Sequence, residues 1–203
     1  MYLVLGKKRS GKSILAEWIF SNVKAQKKAI INPKNDRRLA KLFPNRVTQP
    51  PYLFDKGVVN IVVPETITDY RKYDPWIRPL YQVGNIFVFF DEAGNMTTSA
   101  RYAPSMRSIV QLGADRGVGG LFVSQRVRNI PGFLRSEADH YFVFRLQNAS
   151  DRKALEEDTA VNWDAAADLD SSKHEFLYYG PGLETPIKMT PLKGVKYADL
   201  YNG

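Results

Sequence analysis

The sequence predicts an α/β domain with a mainly parallel sheet flanked by helices. Three observations carry this. Short apolar runs alternate with stretches of helical apolar spacing along the chain. One run, Asn85-Ile-Phe-Val-Phe-Phe90, is apolar almost throughout, as expected of a parallel strand buried on both faces. A glycine-rich turn, Gly6 to Ser13, lies between the first apolar run and the first helical stretch.

The elements follow in order. Tyr2 to Leu5 predicts a strand, and Ile14 to Val23 a helix. Lys28 to Asn32 predicts a strand closed by Pro33, and Asp36 to Phe43 a helix stopped before Pro44. Val58 to Val63 predicts a strand ended by Pro64. Thr68 to Val83 is ambiguous, because Pro75 and Pro79 interrupt any long helix. Asn85 to Phe90 predicts the central strand, Met106 to Leu112 a helix, and Gly119 to Ser124 a second buried strand. Pro131 to Arg135 reads as a short turn or helix, and Tyr141 to Leu146 as a strand. Ser150 to Asp158 reads as a helix with Ser150 as its N-cap. Glu175 to Tyr179 predicts a last strand before a tail rich in proline and glycine.

The 203 residues suit one domain over 1–203, with a core over about 1–160 and a C-terminal appendage over about 161–203. Hydrophobic residues make up 44% and charged residues 25%, so the chain can bury a core of ordinary kind. It has no cysteine, which excludes disulfides, iron–sulfur clusters and thiolate zinc sites. No apolar run reaches a membrane-spanning length and no signal peptide is evident, so a soluble, intracellular protein is expected. The net charge of +8 favours a polyanionic partner.

Gly6-Lys-Lys-Arg-Ser-Gly-Lys-Ser13 fits G-x-x-x-x-G-K-[ST], and the predicted strand and helix on either side are the context that pattern requires. Glycines let backbone N–H groups converge on phosphate oxygens at a helix N-terminus. The candidate ATP-binding residues are therefore Gly6, Lys7, Lys8, Arg9, Ser10, Gly11, Lys12 and Ser13, with Lys12 reaching the β- and γ-phosphates and Ser13 ligating Mg2+. Asp91 ends the central strand and would hold Mg2+, beside the phosphate loop if the two strands are neighbours. Glu92 would polarise the attacking water. Gln125, ending the next strand, would sense the γ-phosphate or orient water, the alternative being simply a polar strand end. Arg116, in a glycine-flanked turn, would be an arginine finger or simply a solvated loop residue.

Taken together, the GKKRSGKS loop, the strand ending DEA, then RGVGGLFVSQR and ADHYFVFRL resemble the HerA–FtsK superfamily of DNA-pumping ATPases from about Tyr2 to Glu157. The nearest type is the genome-packaging ATPases of membrane-containing icosahedral viruses. The resemblance implies a RecA-like core, a hexameric ring and ATP-driven movement of double-stranded DNA, here into a preformed capsid. It makes Lys12 and Ser13 the Walker A residues, Asp91 and Glu92 the Walker B pair, and Gln125 the sensor. Arg116 is the finger acting in trans, with Arg126, Arg145 and Arg152 as rivals. Five residues before Gly6 leave no room for the extra domains of cellular members, which implies a minimal motor. It also implies the host cytoplasm or a virion as its place, and capsid or portal-vertex proteins as partners. Pore loops that grip phosphates would use Arg101 and Arg107, around Tyr102. Lys24, Lys27 and Lys28 read as the solvated end of the first helix, and Lys188, Lys193 and Lys196 as a basic tail. The alternatives are a small nucleoside kinase of the thymidine kinase type, whose zinc lobe normally needs cysteines, and a membrane-associated phage assembly ATPase, which normally carries a transmembrane segment.

Overall fold

The computed structural model describes residues 1–49, 56–63 and 69–191. Nine strands form one sheet: β1 (Tyr2–Leu5), β2 (Lys27–Asn32), β3 (Arg46–Val47), β4 (Gly57–Val62), β5 (Ile86–Phe90), β6 (Val118–Ser124), β7 (His140–Phe144), β8 (Phe176–Tyr179) and β9 (Ile187–Met189). The helices are α1 (Lys12–Asn22), α2 (Arg37–Leu42), α3 (Asp74–Val83), α4 (Pro104–Leu112), α5 (Gly132–Ser136) and α6 (Ala149–Thr159). The strand order is β3-β4-β2-β5-β6-β1-β7-β8-β9. Every pairing from β3 to β7 is parallel, and β8 and β9 add antiparallel strands at one side.

Strand alternation divides the core into two layers. On one face Val4, Ile30, Phe87, Phe89, Leu121 and Val123 meet Ala16, Ile19 and Phe20 of α1 and Leu39 of α2. On the other, Leu3, Leu5, Ile31, Val88, Phe90 and Phe122 meet the apolar sides of α3, α4 and α6. Trp163, Leu169 and Leu177 join that second layer, so the segment after residue 160 contributes to the core rather than hanging from it.

Several elements differ from the sequence expectation. Residues 74–83 form a ten-residue helix despite two prolines. Pro75 sits in the first turn, where its missing N–H has no helical partner to lose. Pro79 forgoes one backbone hydrogen bond, and the burial of Trp76, Ile77 and Leu80 outweighs that loss. Asn148, not Ser150, caps α6: its side chain accepts from the Ser150 N–H at 3.0 Å. α4 begins at Pro104, two residues before Met106. β3 and β9, at two and three residues, are too short for periodicity to show. Pro64, Thr68, Lys193 and Lys196 lie outside the described residues.

Asp74 ties α3 to α4. Its carboxylate accepts from the Ser105 N–H at 2.7 Å and from Arg78 Nη2 at 2.6 Å. Burial pushes this carboxyl up, but the bonds from Ser105 and Arg78 outweigh it and hold it below its ordinary value. We expect Asp74→Ala to cost about 2 kcal/mol, because it strands a buried N–H. Thermal unfolding should show the deficit at neutral pH. The deficit should shrink as the pH falls below the usual carboxyl range, where the wild-type carboxylate also loses its charge.

Candidate nucleotide-binding site

The register sets the site. Leu5 pairs with Ser124, Phe90 with Phe122, and Ile31 with Phe90, so the residues following β1, β2, β5 and β6 emerge along one edge of the sheet. That edge, at the carboxyl ends of parallel strands, is where open α/β sheets bind ligands. The strands carrying the glycine-rich loop and Asp91 are not neighbours, because β6 lies between them. Gln125, leaving β6, therefore stands between the loop and the carboxylates.

The loop's backbone makes a cradle. Gly6 has φ +141°, and a Cβ there would lie 2.6 Å from Phe144 Cβ on β7, so only glycine fits. Arg9 and Gly11 are also left-handed, at φ +64° and +105°. Gly11 starts α1 with no side-chain cap, and the first turn carries no acidic residue, so its N–H groups have no anion of their own. Ser10 Oγ is buried and has no hydrogen-bond partner among the described residues. Lys12 is 6% exposed, and its ammonium donates to Lys7 O at 2.9 Å. Burial lowers its pKa to about 8, against the pull of Glu92. An uncapped helix end, an orphaned hydroxyl and a desolvated cation together suit a polyphosphate. Lys7, Lys8 and Arg9 are exposed on the loop, while Ser13 occupies the first turn of α1.

The carboxylates stand across from this cradle. The Asp91 N–H donates to Ile31 O at 3.1 Å, extending the ladder to β2. Burial raises the Asp91 carboxyl to about 6; Lys34 opposes this, while Glu92 and Asp36 reinforce it. A carboxylate so poorly solvated and so near another is suited to a divalent cation, which with Ser13 would complete a Mg2+ site. Glu92 lies in a left-handed turn at φ +56° and is 8% exposed. Its Oε1 accepts from the Gln125 N–H at 3.2 Å, and its Oε2 accepts from Gln125 Nε2 at 2.8 Å and from Lys34 Nζ at 2.7 Å. Burial alone would push this carboxyl up; the bonds from Lys34 and Gln125 outweigh it and hold it below the ordinary value. Lys12, Asp91, Glu92 and Gln125 thus converge at one edge.

Other predicted residues do not join them. Arg116 precedes β6 at the opposite edge, separated from Gln125 by the whole strand, about 20 Å. Its guanidinium donates to Tyr81 O at 3.0 Å and Gln82 O at 2.8 Å and stacks on the Tyr81 ring. Arg101 and Arg107 lie on or beside a loop closed by the Thr97–Tyr102 bridge. Both are exposed; Arg107 also donates to Gln111 and to the Tyr102 hydroxyl. Of the rival arginines, Arg126 pairs with Asp151 at 2.8 Å beside Gln125. Arg145 donates to Ala167 O, and Arg152 to Leu146 O and Gln147 O.

Two residues at the site escape sequence reading. Lys34 follows β2, and only its place after an apolar strand, in Asn-Pro-Lys, could have marked it. His174, in a left-handed turn before β8, donates from Nδ1 to Ser10 O at 3.1 Å and packs against Gly11. Nothing local in the sequence links a residue 164 positions away to the loop.

No family's sequence model matches the chain. The chain is 24% identical over 198 residues to DNA packaging ATPase P9 of Enterobacteria phage PRD1, covering 94% of this chain and 86% of that protein. Its fold matches the genome packaging NTPase B204 from Sulfolobus turreted icosahedral virus 2 in complex with AMPPCP, with a TM-score of 0.77 at 18% identity over 95% of this chain and 97% of that one. It also matches B204, the DNA-packaging ATPase from Sulfolobus turreted icosahedral virus, with a TM-score of 0.69 at 17% identity over 94% and 97%. No described helix is long and apolar enough to cross a membrane. In sequence over nearly its whole length and in fold, the chain is similar to packaging ATPases of viruses, the resemblance its motifs suggested.

Proposed function

We propose that the chain is an ATPase that works as a ring of identical subunits and drives double-stranded DNA into a preformed viral capsid. The observation that carries the reading is the convergence of Lys12, Asp91, Glu92 and Gln125 at one sheet edge. The likeness to packaging ATPases supports the use made of the energy. Neither the kinase nor the membrane-assembly alternative is favoured by the comparisons.

Each residue has a role its surroundings allow. The backbone of Gly6 to Ser13 and the Lys12 ammonium hold phosphates. Ser13 and Asp91 are the residues that would hold Mg2+, which when bound would neutralise charge on the phosphates. Glu92 takes the proton of the attacking water, and Gln125 fixes the direction of that carboxylate through two hydrogen bonds. Lys7, Lys8 and Arg9 border the phosphates on the outer side. Arg101 and Arg107 are offered as pore contacts to DNA backbone. A finger role for Arg116 requires the ring to bring the opposite sheet edge against a neighbour's phosphate loop. Capsid or portal-vertex proteins and the host cytoplasm complete the setting.

The test is ATP turnover titrated with double-stranded DNA, single-stranded DNA and no nucleic acid. We expect stimulation by double-stranded DNA that weakens steeply with added salt. Absence of DNA association at low salt, with no turnover under any condition, would sink the reading.

A further inference from the structure

The cation paired with the proposed base, Glu92, is not in any motif. Lys34 is held by a rigid connection between β2 and α2. Asn32 is fully buried, and its Oδ1 accepts from the Asp36 N–H at 3.0 Å. Asn60, also buried, bridges Asn32 to the carbonyls of Leu39 and Phe43. Asn35 adopts φ +48°, and its side chain accepts from Arg46 at 2.7 Å. Asp36 caps α2 through the N–H groups of Arg38 and Leu39. Arg38 then pairs with the buried Glu17 of α1 at 2.7 Å, tying this connection to the phosphate-loop helix. The backbone at Lys34 is therefore fixed, and only its flexible side chain, 45% exposed, can move.

That side chain ends 2.7 Å from Glu92 Oε2, and Gln125 donates to the same carboxylate from its backbone N–H to Oε1 and from its amide to Oε2. A carboxylate that is to receive a proton from water must offer that water a lone pair. Here three of about four lone-pair sites are taken, both of those on Oε2 among them, and one of the donors is an ammonium, whose charge also weakens the carboxylate's hold on a proton. Two of those donors come from Gln125 at the end of a buried strand, and they orient the group. The third comes from an exposed, mobile stem, and it can leave.

We propose that Lys34 is a gate on Glu92: in the nucleotide-free chain its ammonium occupies the carboxylate, and it must withdraw before Glu92 can engage water. The inference deepens the ATPase reading above and rests on it. A bound nucleotide presents a competing anion close by, since Lys12 and Lys34 already sense one another's charge. Lys34 is thus a positioning residue, acting through Glu92. Because its ammonium exchanges one anion for another, its removal changes turnover more than nucleotide affinity.

The test uses the full chain and the substitutions Lys34→Met, Lys34→Arg and Glu92→Gln. In the absence of DNA, Lys34→Met should raise kcat by about tenfold, the scale of one charge-assisted hydrogen bond. KM for ATP should move by less than about threefold. Lys34→Arg, which keeps the cation, should hold kcat down. In nucleotide-free protein, melting shifts of Lys34→Met and Glu92→Gln should be non-additive in the double variant, because the two side chains share one bond. An unchanged or lower kcat in folded Lys34→Met, or additive melting shifts, would overturn the gate. If Glu92→Gln is inactive while Lys34→Met gains nothing, only the gate fails. If Glu92→Gln keeps wild-type turnover, the assignment of Glu92 as the base fails as well.

Discussion

Glu92→Gln should bind ATP nearly as well as the wild type and hydrolyse it roughly 10²- to 10⁴-fold more slowly, the range expected for loss of a general base. The substitution preserves shape: glutamine can take the same left-handed backbone at φ +56° at the same cost. Its amide oxygen can still accept from the Gln125 N–H, so the turn after β5 stays in place. The phosphate cradle, Lys12 and Asp91 are untouched, which preserves binding. What changes is the charge. An amide has no proton affinity at neutral pH, so water is held but not activated. A single-turnover experiment with labelled ATP, paired with a direct binding measurement, separates the two effects. Loss of binding in parallel with hydrolysis would mean that Glu92 holds the nucleotide or metal instead. The substitution should also lower stability modestly, because folding favours the ionised form of this carboxyl through Lys34 and Gln125.

The parts of the site legible in the sequence are those carried by short-range patterns. Gly6, Gly11, Lys12 and Ser13 fall within eight residues, and strand and helix flank them. Asp91 and Glu92 follow five consecutive apolar residues, a run that suits a strand buried on both faces. The order of strands was not legible. Nothing between Phe90 and Val118 says that β6 inserts between β5 and β1, yet that insertion is what puts Gln125 against Glu92. Lys34 and His174 were missed for the same reason: their meaning comes from contacts with partners 58 and 164 positions away. Arg116 shows the converse. Its glycine-flanked turn is conspicuous, but within one chain the glycine φ of +66° at Gly117 serves a tight entry into β6 beside Asn85 and the guanidinium donates to Tyr81 O and Gln82 O, so the turn by itself does not say whether the residue faces a neighbour. Propensity also misjudged α3, where buried Trp76 and Leu80 override Pro79.

Lys12→Met should nearly abolish ATP turnover and, at the same time, make the nucleotide-free protein more stable. The first effect follows from losing a preorganised cation at the β- and γ-phosphates, worth on the order of 10²- to 10³-fold or more. The second follows from what burial does to that cation. Lys12 is nearly inaccessible, its one hydrogen bond among the described residues is to Lys7 O, and its pKa falls from 10.5 to about 8. At neutral pH the folded chain must keep an ammonium that the unfolded chain holds more comfortably, at a cost of roughly 3 kcal/mol. Methionine keeps the stem and removes that cost. The sign is open to test by pH. Between about 8 and 10.5 the unfolded wild type binds the proton that the folded wild type has lost, so wild-type stability rises relative to the variant. The melting advantage of Lys12→Met should therefore be full at pH 7 and narrow steadily as the pH climbs through that window. A variant less stable than wild type at pH 7, or a gap that widens with pH, would mean that Lys12 is a structural anchor. If the advantage is seen, the loop holds its charge at the expense of the fold, and an anion as strong as a polyphosphate is the partner that returns the loss.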